Sequence, residues 1–148
     1  STAYNLANDG FSGQIAVFEK DPNYERSSTT LSVGGIRRQF GTEVNVRLSQ
    51  YSLSVYREFG ERMEVGGERP EIDFKPRGYL FLGNERNWPL LVKHQDFQKS
   101  LGVETQLLNT AETLRIIPDL NPEGIVGSSF SESFLLFSFS SIEIILVT

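Results

Sequence analysis

The sequence predicts a layered fold in which helices cover a β-sheet, of the α/β or α+β class. The first observation is a short apolar run, residues 14–18, which lies between turn residues and is typical of a buried strand in a parallel sheet. The second is that helical and strand-like patterns alternate along the rest of the chain and end at glycine or proline. The predicted order is helix, strand, loop, helix, strand, strand, helix, strand, helix.

The start of the chain predicts a helix, the apolar run and a loop. Ala3, Leu6 and Ala7 fall on one helical face, and residues 8–10 end the helix. No cap or turn precedes this helix, so we expect the native N-terminus to lie further upstream. Residues 25–40 are rich in Ser, Thr and Gly with little periodicity, which favours an ordered loop.

A long helix is predicted from residue 43 to residue 63, with Thr42 as its N-cap and Gly66-Gly67 beyond its end. Its apolar residues recur at steps of three or four, which predicts one stripe packed into the core. These residues are Val44, Leu48, Tyr51, Val55, Phe59 and Met63.

Two strands are predicted next. Residues 72–75 and 79–82 flank Pro76-Arg77-Gly78, which indicates a hairpin or two neighbouring strands. Tyr79 in the second of them could face a substrate, although such a tyrosine more often packs with its hydroxyl at the rim.

The following patterns predict a helix, a strand and a short helix. Residues 88–101 have a helical apolar face closed by Gly102, and residues 103–108 favour a strand. Asn109 and Glu112 have the spacing of a capping box, which predicts a short helix that ends before Pro118.

Composition excludes several kinds of site. The 148 residues suffice for one domain and carry a net charge of −5. No nucleic-acid partner is expected, because the longest basic cluster is Arg37-Arg38 and phosphate contacts need clustered Lys and Arg. Cysteine is absent, which excludes a disulfide framework, a zinc–thiolate site and a cysteine nucleophile. The single histidine, His94, lies among polar residues and is expected at a solvated surface, so no metal site is predicted.

Two segments carry residue types suited to a nucleotide cofactor. Glu19 ends the predicted first strand, where an acid can accept hydrogen bonds from a ribose, although surface carboxylates are common. Residues 27–40 combine hydroxyls, the flexible pair Gly34-Gly35 and the pair Arg37-Arg38. Such a segment can bind phosphate oxygens and approach a ligand closely, or it can be a polar surface loop.

In this order the two segments resemble the FAD-dependent oxidoreductases of the D-amino-acid oxidase superfamily. The stretch Val17-Phe18-Glu19-Lys20-Asp21 is similar to the acid-tipped second strand of that family. The stretch Ser28-Thr29-Thr30-Leu31-Ser32-Val33-Gly34-Gly35-Ile36, followed by Gln39-Phe40, is similar to its flavin-proximal loop. The resemblance covers about residues 1–130 and is nearest to the FAD-dependent oxidoreductase domain-containing branch. The glycine-rich turn of the family is absent here.

The resemblance implies a partial Rossmann-like FAD-binding domain and the start of an α+β substrate domain. Residues 1–70 would belong to the first, residues 71–130 to the second, and residues 131–148 would form an atypical tail. The cofactor implied is FAD. Its implied ligands run from the ribose to the ring: Glu19, Lys20, Thr29, Thr30, Ser32, Gly34, Gly35, Ile36 and Arg37. The resemblance leaves open whether Arg37 or Arg38 lies near the flavin.

The function implied is oxidation of a C–N bond in an amine or amino acid, with hydride transfer to the flavin. The full-length protein would be the enzyme, and the fragment alone is expected to be inactive. The alternative is a non-catalytic interaction or assembly protein that keeps the flavoprotein fold. The expected partner is a small-molecule amine or amino acid, in the cytoplasm or, in a eukaryote, the mitochondrion. Catalytic residues are not assigned.

The tail differs in composition from the rest of the chain. Residues 131–148 contain no Gly, Pro, Lys or Arg, and residues 142–147 are mostly apolar and favour a strand. The tail is too short and too polar to span a membrane. We expect it to play no family-like role and to make no contact that the nucleotide-binding core needs. We expect it to arise from a gene-model error, readthrough or a frameshift.

Overall fold

The computed structural model describes residues 2–28, 31–32, 34–135 and 143–146. The chain divides into two compact units, Ser1–Ser32 and Val33–Thr148. Thr29, Thr30 and Val33 lie outside the described residues, as do residues 136–142 and 147–148. Two of the predicted cofactor ligands, Thr29 and Thr30, are therefore not placed.

The first unit contains the predicted opening helix but not the predicted strand. Helix α1, Thr2–Asn8, is followed by Gly10, whose φ of 78° is the left-handed backbone conformation common just after a helix C-terminus. Residues 14–18 form no strand, and Val17 and Phe18 are 76% and 93% exposed. The prediction of a buried parallel strand is wrong for this structure. An apolar run becomes a strand only beside a hydrogen-bonding neighbour, and the described part of this unit contains no strand that could supply one.

Within the described residues, the second unit is built on a mixed five-stranded sheet. Its central pair is β2, Lys75–Gly83, and β4, Gly127–Leu135, which run antiparallel over their whole length. The short strands β1, Gly35–Ile36, and β3, Gln106–Asn109, also pair antiparallel with β4. Strand β5, Glu143–Leu146, pairs with β2 in parallel. The apolar end of the tail thus forms the strand that its composition predicts.

Strand β2 runs straight through the predicted turn at Pro76-Arg77-Gly78. Gly78 pairs with Glu132 instead of reversing the chain. A Cβ at Gly78 would overlap the ring of Phe130, so this glycine makes room for a ring on the neighbouring strand. The prediction of a hairpin or two neighbouring strands is wrong, because a glycine in a strand can signal close packing as well as a turn.

Two helices replace the single predicted one between residues 43 and 63. Helix α2, Glu43–Arg57, is followed by the short helix α3, Phe59–Arg62. Thr42 is the N-cap residue, but its side chain makes no capping hydrogen bond.

The predicted apolar stripe does not form the buried face of α2. Val44 and Leu48 are 63% and 58% exposed, whereas Val46, Ser49 and Leu53 are buried. Both sets have helical spacing, so periodicity alone selects neither face. The small side chain of Ser49 suits a face that lies close to its neighbours.

The remaining helices confirm their predicted caps. Helix α4, Trp88–Ser100, is followed by Gly102 with a φ of 78°. Helix α5, Thr110–Ile116, begins with the full capping box between Asn109 and Glu112. Strand β3 begins only at Gln106, later than predicted.

His94 on α4 is half-buried rather than fully solvated. A Cβ placed on Gly41 would lie 2.8 Å from its Nε2 atom, so the ring lies close against the Gly41 backbone. Of the helices in the described ranges, none is long and apolar enough to cross a membrane.

The first residues of the tail belong to the core sheet. Residues 131–135 complete β4 and pair with β2, and the last two of them also pair with β1. Ser131 is buried, and its hydroxyl donates to the carbonyl of Glu104 at 3.0 Å. The expectation that the tail makes no needed contact is wrong for residues 131–135, because composition does not report which strand is central to a sheet.

Candidate functional site

An open cavity of about 500 Å³ lies in the second unit, where helix α2 meets the sheet. Its volume is in the range of small-molecule and cofactor sites. The lining comes from β1 and the segment after it, from α2, and from β2. These residues are Gly35, Ile36, Arg37, Phe40, Asn45, Leu48, Ser49, Ser52, Tyr56 and Tyr79.

The glycine pair positions the start of this lining. Gly34 has a φ of 71°, a backbone conformation that residues with a Cβ rarely adopt. Gly35 and Ile36 then pair with Leu135 and Phe134 of β4, which fixes their backbone at the edge of the sheet. The structure therefore brings Gly35, Ile36 and Arg37 into one cavity, as members of the predicted cofactor loop, with Gly34 at the turn that precedes them.

Arg37 supplies the positive charge of the cavity. Its guanidinium carbon lies 4.4 Å from the centre of the Phe40 ring and 5.6 Å from that of Phe81. Cation–π contacts of this kind hold a guanidinium in place without neutralising it. Arg37 thus remains available to an anionic group in the cavity.

Arg38 is turned to a structural contact instead. Its Nε and Nη2 atoms donate to the carbonyl oxygen of Glu132 at 3.1 and 2.7 Å. Burial, and secondarily the charge of Arg57, lower the pKa of Arg38 below the usual arginine value. The two neighbouring arginines therefore differ in role: Arg37 lines the cavity, and Arg38 ties its segment to β4.

Helix α2 contributes a polar stripe that the sequence analysis missed. Asn45, Ser49, Ser52 and Tyr56 recur at steps of four, three and four, and all of them line the cavity. The Ser49 and Ser52 hydroxyls donate to the carbonyls of Val46 and Leu48, at 2.8 and 2.9 Å. The apolar residues of α2 have the same helical spacing, but it is the polar set that marks the face of the helix towards the cavity.

Aromatic rings complete the cavity. Tyr79 of β2 is buried and lines it, so the interpretation that this tyrosine faces a ligand is compatible with its place. The Tyr56 ring stacks near Phe59 and Phe74, with ring centres 6.5 and 6.0 Å apart. These contacts give the cavity rigid apolar faces beside its polar stripe.

The proposed ribose and phosphate ligands belong to the first unit. Glu19, Lys20 and Ser32 are exposed there. The Oε1 atom of Glu19 accepts from the backbone N–H of Asp21 at 2.9 Å, which orders the turn after the apolar run. Whether Glu19, Lys20 and Ser32 hold a nucleotide stays a prediction.

The cavity suits a planar heteroaromatic ring that gains negative charge. It offers a fixed guanidinium, side-chain hydroxyls and an amide, aromatic faces and a glycine backbone without Cβ bulk. A metal ion would need clustered His, Cys, Asp or Glu ligands, and the described ranges contain no such cluster. The residues present thus fit the ring of a flavin.

Comparison with known proteins gives the same class of molecule. The family model described as FAD dependent oxidoreductase matches residues 1–134. FAD-dependent oxidoreductase domain-containing protein 1 of Xenopus laevis is 34% identical over 118 residues, which cover 79% of this chain and 24% of that protein. The homologue from Drosophila melanogaster is 34% identical over 128 residues, which cover 84% and 24%. The chain therefore spans about a quarter of the length of these relatives.

Solved structures confirm the α/β class. L-proline dehydrogenase from P. horikoshii matches with a TM-score of 0.72 and 27% identity, over 90% of this chain and 34% of the other. Glycine oxidase from Bacillus cereus matches with a TM-score of 0.65 and 18% identity, over 90% and 36%. At that identity the second likeness shows the fold alone. The resemblance read from the sequence stretches is confirmed, and its end lies near residue 134 rather than 130. The chain belongs to the FAD-dependent oxidoreductase family of the D-amino-acid oxidase type.

Proposed function

We propose that this chain is the flavin-binding part of an oxidoreductase that oxidises the C–N bond of an amine or amino acid. The observation that carries the proposal is the cavity in which Gly35 and Arg37 of the cofactor loop meet Tyr56 and Tyr79. Because the chain spans about a quarter of its relatives, the proposal concerns the activity of the whole protein. The family cofactor is FAD, and the L-proline dehydrogenase supports an amino-acid substrate class.

FAD, when bound, would supply the two-electron acceptor for a hydride from the carbon next to the substrate nitrogen, and the substrate, having also lost a proton from that nitrogen, would leave as an imine. The charge of Arg37 would stabilise the negative charge that the ring system gains, since the guanidinium is held by rings rather than by a carboxylate. Gly34 and Gly35 would allow the backbone to approach the ring closely.

The remaining residues of the cavity would orient the ring and exclude water. Tyr79 and Tyr56 present rigid aromatic faces, and Asn45 and Ser52 offer polar atoms along one side of α2. For the nucleotide part of FAD we propose Glu19 and Lys20 at the ribose. Ser32, with Thr29 and Thr30, would line the pyrophosphate path, because these residues come just before the glycine pair in the loop that resembles the family's flavin-proximal loop.

Two measurements test the proposal. FAD is titrated into the purified protein and followed by quenching of flavin fluorescence, with Arg37→Met beside the native chain. The full-length protein is then mixed anaerobically with glycine, L-proline and N-methyl amino acids, and flavin absorbance near 450 nm is recorded. We expect FAD binding that Arg37→Met weakens, and bleaching by at least one substrate. A protein that binds FAD but is bleached by no amine or amino acid would refute the enzymatic proposal and favour the interaction protein.

A further inference from the structure

A buried amide of α4 contacts the backbone of the segment that carries Arg37. Gln98 is only 3% exposed, and its Nε2 atom donates to the carbonyl oxygen of Phe40 at 3.1 Å. Its Oε1 atom accepts from the hydroxyl of Thr105 at 2.8 Å. Both ends of the amide are therefore engaged, and the orientation of the side chain is fixed.

The segment that Gln98 holds is anchored at each of its residues. Arg38 donates to the Glu132 carbonyl, and the Gln39 side chain donates to the carbonyl and hydroxyl of Ser129. The backbone N–H of Phe40 donates to the Arg38 carbonyl at 3.0 Å, which makes a tight turn. The carbonyl of Phe40 then depends on Gln98 for the contact to α4.

Arg37 itself is positioned through rings. Its guanidinium lies over the ring of Phe40 at 4.4 Å and farther from that of Phe81. Because the Phe40 ring is attached to the same backbone as the Phe40 carbonyl, a shift of that carbonyl also moves the ring against which the Arg37 guanidinium packs. Gln98 does not line the cavity, and its hydrogen bond to the carbonyl of Phe40 links it to a residue that does.

We propose that Gln98 is a positioning residue that sets the guanidinium of Arg37 in the cavity through the carbonyl and ring of Phe40. The link to FAD rests on the function proposed above, whereas the link from Gln98 to Arg37 does not. The chemistry required is a buried donor at the Nε2 position, which methionine lacks at similar volume.

Gln95 provides a matched control on the same helix. Its Nε2 atom donates to the carbonyl of Thr105 at 2.9 Å, so it hydrogen-bonds the same residue as Gln98, and the hydrogen bonds of the described residues include none from Gln95 to Phe40. Gln95→Met removes a glutamine hydrogen bond of α4 and leaves the carbonyl of Phe40 bound. Any effect that follows only from loss of a hydrogen bond in α4 should appear in both variants.

The first test needs no cofactor. The Nε–Hε signal of Arg37 is assigned by NMR in the native chain and in Gln98→Met and Gln95→Met. We expect the Arg37 signal to move in Gln98→Met, because the shielding by the Phe40 ring changes, and to stay in place in Gln95→Met. If Gln98→Met does not fold, Thr105→Val, which removes the hydroxyl that orients Gln98, should move the signal in the same direction. An unmoved Arg37 signal, or an equal shift in the Gln95 variant, overturns the proposal.

The second test measures coupling to FAD binding. Gln98→Met should weaken FAD affinity about three- to tenfold, the scale of one hydrogen bond. In an Arg37→Met background the same change should have no further effect, whereas a fully additive loss would overturn the positioning role. If Arg37→Met leaves FAD affinity unchanged, the role that the proposed function gives to the charge of Arg37 is refuted. The NMR result still decides separately whether Gln98 positions Arg37.

Discussion

A pair of glycines facing each other in the sheet makes room for the indole of Trp88, the first residue of helix α4. Gly83 of β2 pairs with Gly127 of β4, and Trp88, the first residue of α4, lies over both. A Cβ on Gly127 would lie 2.6 Å from the carbonyl oxygen of Leu108 on β3 and 2.7 Å from Cη2 of Trp88. A Cβ on Gly83 would lie 2.8 Å from Cε3 of the same indole. Alanine at either position should therefore destabilise the second unit.

The two substitutions should differ in size because they meet different atoms. The alanine Cβ at position 83 meets side chains, which can shift, so we expect a loss of about 1–2 kcal/mol, at the lower end of overpacking costs. At position 127 it also meets backbone, so about 3 kcal/mol is expected. A domain of this size loses roughly 2–4 °C of melting temperature per kcal/mol. The Gly127 variant should thus melt roughly 6–12 °C below the native chain.

Thermal unfolding followed by circular dichroism tests this, and removal of the indole separates the two cases. Trp88→Leu lowers stability by itself, but in its background Gly83→Ala should cost much less. Gly127→Ala should remain costly there, because the Leu108 carbonyl has not moved. Equal melting temperatures for the Gly127 variant and the native chain, or full rescue of it by Trp88→Leu, would refute this account of the sheet.

Three further substitutions test the roles of the site and of a cap. Arg37→Met should weaken FAD binding about tenfold in a fluorescence titration with little change in melting temperature, and the reverse pattern would contradict its place in the cavity. Arg38→Met should instead lower unfolding free energy by about 1.5–3 kcal/mol in urea titrations, because the carbonyl of Glu132 loses its charged donor. Asn109→Ala should lower the unfolding free energy by about 1 kcal/mol in the same assay, because the capping hydrogen bond from the Glu112 N–H is lost. An unchanged midpoint would show that this cap does not stabilise the fold.

The sequence predicts local features of this fold better than its tertiary pairings. The capping box at Asn109 and the helix end at Gly102 are encoded within a few residues, so they were predicted correctly. The strand at residues 14–18 and the turn at Gly78 failed because both depend on what lies beside them. A glycine that admits a cross-strand ring and a glycine in a turn have the same local pattern.

The candidate site was predictable to the extent that it is a continuous loop. Gly35, Ile36 and Arg37 follow one another and were assigned by resemblance, and the structure gathers them in one cavity. Tyr56 and Tyr79 come from separate elements, so only tertiary packing brings them to that cavity. The choice between Arg37 and Arg38 depends on Phe40, Phe81 and the Glu132 carbonyl, and residue type alone could not make it.

The boundary that composition places at residue 130 gives a last prediction, because strand β4 continues for five residues beyond it. Residues 131–135 supply the register partners of Lys75 to Tyr79 and of both residues of β1. They also include Glu132, whose carbonyl accepts a hydrogen bond from Arg38. Ser131 is among them as well, and its hydroxyl donates to the carbonyl of Glu104, in the segment that leads into β3.

A chain that stops after residue 130 should therefore be far less stable than one that stops after residue 135. Both lack β5, so their difference isolates these five residues. Several hydrogen bonds at about 1 kcal/mol each, and the arginine contact at about 1.5–3 kcal/mol, amount to a large share of the 5–15 kcal/mol that stabilises a typical domain. Urea unfolding of the two truncated chains measures the difference, and loss of β1 pairing should also abolish the shielding of Arg37 in the shorter chain. If both chains unfold at the same urea concentration, residues 131–135 add nothing to the sheet, and the compositional boundary was the right one.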